Sequence, residues 1–353
     1  MKICVVNPNF YRSSGVTTAI KRIHEGAAQF GLDQFFVTCG YGQDQDDDPW
    51  IPADRYAQFD LMTAKPTRLF AQLRRFSKWL ADNGIEIVHV HHRRLAALLS
   101  LNAIAARYKV VYTGQLTYPW NPLWRLIPIE TSVAISQSVA RNMQKTMWLH
   151  KLATIGNPAR FPASCPVMTN PPNRAVCIGR LEPVKGHEFL IRAWSSLAAK
   201  GHSYVLSIVG EGSLRSKLES LVRQLGINQL VEFRGFQSNV DSEIERASFS
   251  VLASKTEGHP LAVLECAARG RASLLTDVDG SRDCLPPHRT LPNGIPFGDV
   301  AALAAALETW ISSPPAKIVS EGQAFYSFLK SEASVESVAA KYAAVYSEVQ
   351  LAR

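Results

Sequence analysis

Short apolar runs alternate with longer stretches whose apolar residues recur every three to four positions, along most of the chain. Lys2–Val6 reads as a strand. A polar loop, Asn7–Gly15, leads into a helix predicted from about Thr17 to Phe30, and Gln34–Thr38 is the next strand. Leu69, Phe70, Leu73, Phe76 and Leu80 fall at helical spacing within Thr67–Asn83 and are expected to face the core. Ile85–His89 reads as a strand, Leu95–Arg107 as a helix, and Lys109–Thr113 and Ser132–Ile135 as strands. Ser136 is placed to cap a helix that runs to about Met147. Strands of this length alternating with helices predict parallel βαβ units.

The alternation breaks at Asn157–Arg174, where Pro158, Pro162, Pro166, Pro171 and Pro172 crowd together. A second series follows. Ala175–Ile178, Tyr204–Val209, Val231–Arg234, Phe249–Ala253 and Ser273–Thr276 are predicted strands. Gly186–Lys200, Ser213–Leu225 and Asn239–Arg246 are predicted helices, as are the ends Ala301–Ile311 and Val335–Val349. A chain of 353 residues exceeds one ordinary core. The expected organisation is an N-terminal domain over 1–158, a linker over 159–174 and a second domain over 175–334, with a terminal helix at about 335–353 packing back on the first. Ligands of such sheets sit at the carboxyl ends of the strands.

Hydrophobic residues make up 46% and charged residues 19%, a globular balance. No apolar run reaches the roughly 18 residues of a membrane span, and Met1–Val6 reads as a strand rather than a signal peptide. Cys4, Cys39, Cys165, Cys177, Cys266 and Cys284 are scattered, which predicts reduced thiols and no zinc site. The net charge of +8 is concentrated. Between residues 65 and 125, Lys65, Arg68, Arg74, Arg75, Lys78, Arg93, Arg94, Arg107, Lys109 and Arg125 face only Asp82 and Glu86. Either this is a solvated basic face or it attracts an anionic partner, such as an acidic lipid surface or a phosphorylated acceptor. No nucleic-acid motif accompanies it, so nucleic acid is not an expected partner.

Five loops carry candidate chemistry. In Gly179-Arg180-Leu181-Glu182-Pro183-Val184-Lys185-Gly186, a strand gives way to a helix across an Arg and a Lys. A guanidinium can fork two hydrogen bonds onto a phosphate, and an ammonium adds a compact charge. Val209-Gly210-Glu211-Gly212 closes another strand, where two glycines admit close approach or simply a tight turn. Glu257-Gly258-His259-Pro260-Leu261-Ala262-Val263-Leu264-Glu265 spaces two carboxylates eight positions apart. A helix starting near Pro260 would leave Glu257 in the loop and set Glu265 more than one turn inside. Thr276–Asp283 follows a further strand, and Ser13–Thr17 opens the first helix, where backbone N–H groups can meet an anion.

GRLEPVKG, VGEG, EGHPLAVLE and TDVDG, in that order, resemble the nucleotide-sugar half of the family-4 retaining glycosyltransferases. More loosely, IEIVHVHH (85–92), VAISQSVARNMQK (133–145) and TIGNP (154–158) resemble the first half of that family. The resemblance implies the GT-B fold, an α/β architecture of two Rossmann-like domains facing across a cleft. It implies Arg180 and Lys185 on the diphosphate of the donor and Glu257 near its sugar. Glu265 would hold the ribose, and His259, Pro260, Leu261, Ala262, Gly179, Gly210, Gly212 and Gly15 would line the donor site. No cofactor and no metal is expected. The expected donor is a nucleotide diphosphate sugar, UDP-sugar ahead of GDP-sugar, and the expected acceptor is a saccharide or glycolipid of cell-surface polysaccharide or lipopolysaccharide synthesis. The implied place is the cytoplasm, peripheral at the inner face of the membrane. An epimerase or phosphorylase on the same fold, or a binder without turnover, are the alternatives.

Three departures from the family's pattern stand out. Ser14-Gly15 replaces a glycine pair; Gly114-Gln115 stands where many members carry a His near the acceptor; and Gly270-Arg271-Ala272 replaces Gly-x-Pro. Gln115 can bond a sugar hydroxyl but cannot act as acid or base. His91, with His89 and His92, is read as structural or acceptor-side, because no Cys or carboxylate accompanies it as a metal ligand. Tyr118–Arg125 is aromatic and basic, fit for a lipid interface, for stacking on acceptor sugars or for packing under a loop. Asp44 and Asp46–Asp48 are read as a solvated loop.

Overall fold

The computed structural model describes residues 1–11, 14–39, 50–119, 121–127 and 129–351, with the backbone alone at 122 and 123. The acidic Asp44–Asp48 stretch, Ser13 and Trp120 lie outside the described residues. The chain divides into two compact units, Met1–Pro158 with Val335–Arg353, and Ala159–Ser334.

The first unit runs β1 (Lys2–Asn7), α1 (Gly15–Ala27), β2 (Asp33–Thr38), β3 (Tyr56–Gln58), α2 (Pro66–Asp82), β4 (Ile87–Val90), α3 (Arg93–Ala106), β5 (Lys109–Gly114), β6 (Ile129–Ala134), α4 (Gln137–Thr146) and β7 (Leu149–Thr154). Its strands form one sheet in the order β3-β2-β1-β4-β5-β6-β7, every pairing parallel. Alternation along β5 sends Val110 and Tyr112 to one core and Val111 to the other, so both faces are covered.

The second unit runs β8 (Arg174–Ile178), α5 (His187–Ala199), β9 (Val205–Val209), α6 (Arg215–Gln224), β10 (Val231–Gly235), α7 (Asp241–Glu245), β11 (Phe249–Leu252), α8 (Leu261–Ala268), β12 (Ser273–Leu275), α9 (Val300–Ile311) and α10 (Pro315–Ala333). Its parallel sheet has the order β10-β9-β8-β11-β12. The proline-rich 159–174 stretch is part of this unit, and Ala159 bridges Ser334 at its far end. The chain then returns to the first unit through α11 (Val335–Leu351). Val338, Tyr342, Val345, Tyr346 and Val349 of α11 share a core with Ile3, Ile87, Val111 and Val133 of the sheet. Gly26 lets α11 close on α1, since a Cβ there would stand 2.7 Å from that of Ala339.

Several elements differ from the sequence expectation. β3 and β7 carry polar or charged residues and showed no apolar run; each pairs on one side only, at a sheet edge. The helix α10 was not foreseen, because its apolar positions are interrupted by Ser, Glu, Gly and Gln. The first helix ends at Ala27, and Ala28–Phe30 tightens to a 3-10 turn closed by Gly31 in the left-handed region.

Strand order decides where chemistry can sit. In each sheet one strand leads to connections on both sides, and the loops that follow neighbouring strands then part in opposite directions, leaving a crevice at their carboxyl ends. That point falls between β1 and β4 in the first unit and between β8 and β11 in the second.

Candidate active site

The loop leaving β8 carries Arg180 and Lys185, and the loop leaving β11 carries Glu257 and runs into α8, which carries Glu265. Lys185 closes a 3-10 turn, Pro183–Lys185, and its Nζ donates to Glu257 Oε1 at 2.6 Å. Ser254 Oγ, at the end of β11, donates to the same oxygen at 2.6 Å. Glu257 is only 9% exposed, so these two charge-assisted bonds offset the cost of burying its carboxylate. Arg180 stands exposed at the loop entrance. Lys185 and Glu257 also bracket the buried Cys177 thiol. Burial pushes that thiol up to about 12, so it remains protonated.

Backbone contacts hold the loops in register. Leu181 N–H donates to Glu211 at 2.8 Å, Leu214 N–H to Leu181 at 2.9 Å and Lys255 N–H to Val184 at 2.8 Å. Glu182 accepts from Ser213 N–H and Oγ at 3.1 and 2.8 Å, bonds that hold its carboxyl below the ordinary range. A Cβ on Gly210 would lie 2.1 Å from the Gly179 carbonyl oxygen, and one on Gly212 would lie 2.6 Å from that of Leu181. The protein's own backbone therefore accounts for both glycines. Gly280 (φ 78°) behaves alike, with the Gly258 carbonyl oxygen 2.2 Å from its notional Cβ.

Pro260 caps α8, so Glu257 lies in the loop and Glu265 on the helix, partly exposed. The first intrahelical bonds are made by Val263 and Leu264, which leaves the N–H groups of Leu261 and Ala262 at the helix mouth. His259 and Pro260 are buried beside them. Arg271, a departure from the family pattern, is a structural cap. Its guanidinium donates to the carbonyls of Ala247, Arg269 and Glu245 at 2.8, 2.7 and 2.9 Å, closing the end of α7.

In the first unit the crevice is bounded by the loops after β1 and β4. Ser14 caps α1 by accepting from Thr17 N–H at 3.5 Å, and Gly15 is exposed at its first position. The buried Thr17 hydroxyl in this turn has no hydrogen-bond partner among the described residues. Gln115, just past β5, donates through Nε2 to Nδ1 of His91, just past β4, at 3.1 Å, so the two acceptor-side candidates of the sequence are neighbours. An amide nitrogen only donates, which puts the imidazole proton of His91 on Nε2. Burial pulls His91 down to about 3, and it is neutral at physiological pH. His89 is structural: its Nε2 meets Thr113 Oγ1 and its Nδ1 meets Tyr346 OH, each at 2.7 Å. Among the described residues no group of three or more His, Cys, Asp or Glu is placed to hold a metal ion.

Sequence reasoning missed Ser254, which touches Glu257; its position three residues before that acid, at a strand end, was the available signal. It also missed the reach of Arg93 to Tyr118 and Trp124, pairings far apart in sequence.

The family described as Glycosyltransferase Family 4 matches residues 13–159, and that described as Glycosyl transferases group 1 matches residues 172–313. A lipopolysaccharide 1,6-galactosyltransferase of Salmonella typhimurium is 24% identical over 313 residues, covering 81% of this chain and 83% of its own. An uncharacterized glycosyltransferase of Haemophilus influenzae is 32% identical over 132 residues, 36% of this chain, which spans little more than a third of that relative's length (37%). An Anabaena protein solved in complex with UDP superposes with a TM-score of 0.80 at 14% identity, over 99% of this chain and 100% of its own. At that identity the likeness is one of fold.

Proposed function

The chain belongs to the family-4 glycosyltransferases and has the GT-B fold, and we propose that it is a retaining enzyme that moves a sugar from a nucleotide diphosphate sugar to a saccharide or glycolipid acceptor. The observation that carries this reading is the Lys185–Glu257–Ser254 contact at the carboxyl ends of β8 and β11, with Arg180 exposed beside it. Arg180 and Lys185 bind the diphosphate and stabilise the nucleoside diphosphate as it leaves. Preorganised charge of this kind is worth about 3 kcal/mol per group in the transition state. Lys185 has three N–H groups and can keep Glu257 while taking a phosphate oxygen. The N–H groups of Leu261 and Ala262 face the same anion, as at other helix starts. Glu265 holds the ribose, Glu257 orients the sugar, and the donor phosphate takes the proton of the incoming hydroxyl. His259 and Pro260 line the sugar end, Gly179 and Gly15 allow close approach, and Gly210 and Gly212 shape the loop.

His91 and Gln115 form the acceptor side and supply hydrogen bonds rather than acid or base chemistry. The Salmonella relative's name supports a lipopolysaccharide-type acceptor, and the UDP in the Anabaena protein supports a UDP-sugar. No metal is assigned a role. Among the described residues no helix is long and apolar enough to cross a membrane. A peripheral place on an anionic membrane is supported by Arg68, Arg74, Arg75 and Lys78 on α2, exposed beside Phe70, and by Leu101 and Ile104 exposed on α3. Loss of vesicle binding in Arg74→Ala/Arg75→Ala is the expected result, and unchanged binding would count against it.

The direct test is turnover with UDP-, GDP- and ADP-sugars and a lipopolysaccharide-core acceptor, the product read by NMR. The expected product is a new glycoside with the donor's anomeric configuration. An inverted anomer removes the retaining mechanism. A free epimerised sugar or a sugar phosphate assigns another reaction, and binding without turnover assigns none.

A further inference from the structure

Of the ten cations between residues 65 and 125, nine are exposed or half-buried and Arg93 is buried. It is 7% exposed, and its Nε and Nη2 are buried with no hydrogen-bond partner among the described residues. Among the described residues no carboxylate pairs with it. The guanidinium carbon lies 3.9 Å from the Trp124 ring centroid and 4.6 Å from that of Tyr118. These faces stabilise a cation but accept no in-plane hydrogen bond. The rings are not loosely placed. Tyr118 N–H donates to Asn142 Oδ1 at 2.9 Å, and Asn142 Nδ2 returns a bond to Tyr118 O at 3.0 Å, tying the loop to α4. Folding thus builds a clamp around a desolvated charge and leaves the Nε and Nη2 donors without an acceptor, an arrangement costly without an anion.

Arg93 is the first residue of α3, a 14-residue helix with no acidic residue in its first turn and no side-chain cap from His92. The helix N–H groups and the guanidinium therefore present positive charge together. The His92 imidazole Nδ1 there is likewise buried and unpartnered. All of this lies just past β4, at the crevice of the first unit, two residues beyond His91, which holds Gln115.

We propose that Arg93, clamped between Tyr118 and Trp124 at the start of α3, is a binding site for an oxyanion of the acceptor, a phosphate or a carboxylate on its saccharide. This rests on the acceptor reading of His91 and Gln115 and narrows it: the acceptor is an anionic sugar, recognised by a planar fork and not only by the diffuse field of the basic tract.

The test is thermal shift of the full chain in an Arg180→Ala/Lys185→Ala background, which removes the competing phosphate ligands of the second unit. The probes are glucose 6-phosphate, glucuronate and glucose at matched ionic strength. One or both anionic sugars should stabilise the protein and glucose should not; which one does so names the oxyanion. Arg93→Met should melt at or above its parent, because a buried unpaired charge is removed, and should bind the anionic sugar at least about tenfold more weakly. Arg93→Lys, charged but without the fork, should fall between them. Equal shifts in the parent and Arg93→Met, no shift with either anion, or a Met variant that melts far below its parent would each overturn the proposal. The last outcome would make the guanidinium a packing element. Donor binding in the otherwise unmodified chain is measured separately, so failure here leaves the glycosyltransferase reading standing, and loss of donor binding leaves this site untouched.

Discussion

Removing the Lys185 ammonium should weaken the second unit even with no ligand present. Its Nζ and the Ser254 hydroxyl each sit 2.6 Å from one oxygen of a carboxylate that is 9% exposed. Taking one partner from a fully buried pair costs about 3–5 kcal/mol. Here the lysine side chain is 22% exposed and Ser254 remains, so about 2 kcal/mol is the expected loss for Lys185→Ala. For a unit of this size each kcal/mol moves the midpoint by roughly 2–4 °C, which makes a fall of about 4–8 °C. Glu257→Gln removes the charge but keeps an acceptor for Ser254 and should cost about 1 kcal/mol. The double variant should lose less than the two singles combined, with a coupling of about 1 kcal/mol or more. Urea and thermal unfolding of the four proteins, without nucleotide, measure this. A Lys185→Ala protein as stable as its parent, or strictly additive singles, would refute the idea that the pair is preassembled.

Arg180→Ala should leave stability within about 0.5 kcal/mol, because the side chain is exposed, yet lower kcat/KM on the donor about a hundredfold or more. Gly280→Ala forces a side chain into φ 78° with the Gly258 carbonyl oxygen 2.2 Å from its Cβ, so a loss of about 2 kcal/mol or more, read by urea midpoint, should accompany reduced donor affinity. Acid should destabilise the protein early. Burial holds His89 well below its usual range, His91 at about 3 and His187 at about 4, so below about pH 6.5 the unfolded chain binds protons that the folded chain refuses. Stability is therefore full above that pH. It should fall by about 1.4 kcal/mol per unit for each histidine as pH drops toward 4, and a flat urea midpoint between pH 7.5 and 5.5 would contradict the sign.

The parallel series was legible because its central strands are continuous apolar runs buried on both faces, as in Val5–Val6, Val110–Tyr112 and Ala175–Cys177. Edge strands such as Leu149–Thr154 were not, since solvent on one side permits His150 and Lys151 there. Within the site, the helix start at Pro260 followed from local signals: a proline at the cap, a Gly before it and an apolar run after it. The Lys185–Glu257 contact spans 72 positions and arises from the neighbouring of β8 and β11, which no local pattern encodes. Gly210 and Gly212 illustrate the limit of motif reading. The pattern marked close approach correctly, but the approaching group is backbone of the preceding loop. Arg271 stood out in the sequence only as a departure from Gly-x-Pro, and its bonds to the carbonyls of Glu245, Ala247 and Arg269, at the ends of α7 and α8, were not legible there.

The central claim is that the loops after β8 and β11 grip a nucleotide diphosphate sugar, with Glu265 on its ribose. Isothermal titration of UDP and of UDP-sugars into the parent, Glu265→Ala and Arg180→Ala/Lys185→Ala proteins addresses it directly. The account predicts binding to the parent, an affinity about tenfold lower for Glu265→Ala, and no measurable binding once both cations are gone. UDP affinity unchanged in the double variant, or a Glu265→Ala enzyme that loses turnover with donor affinity intact, would contradict it.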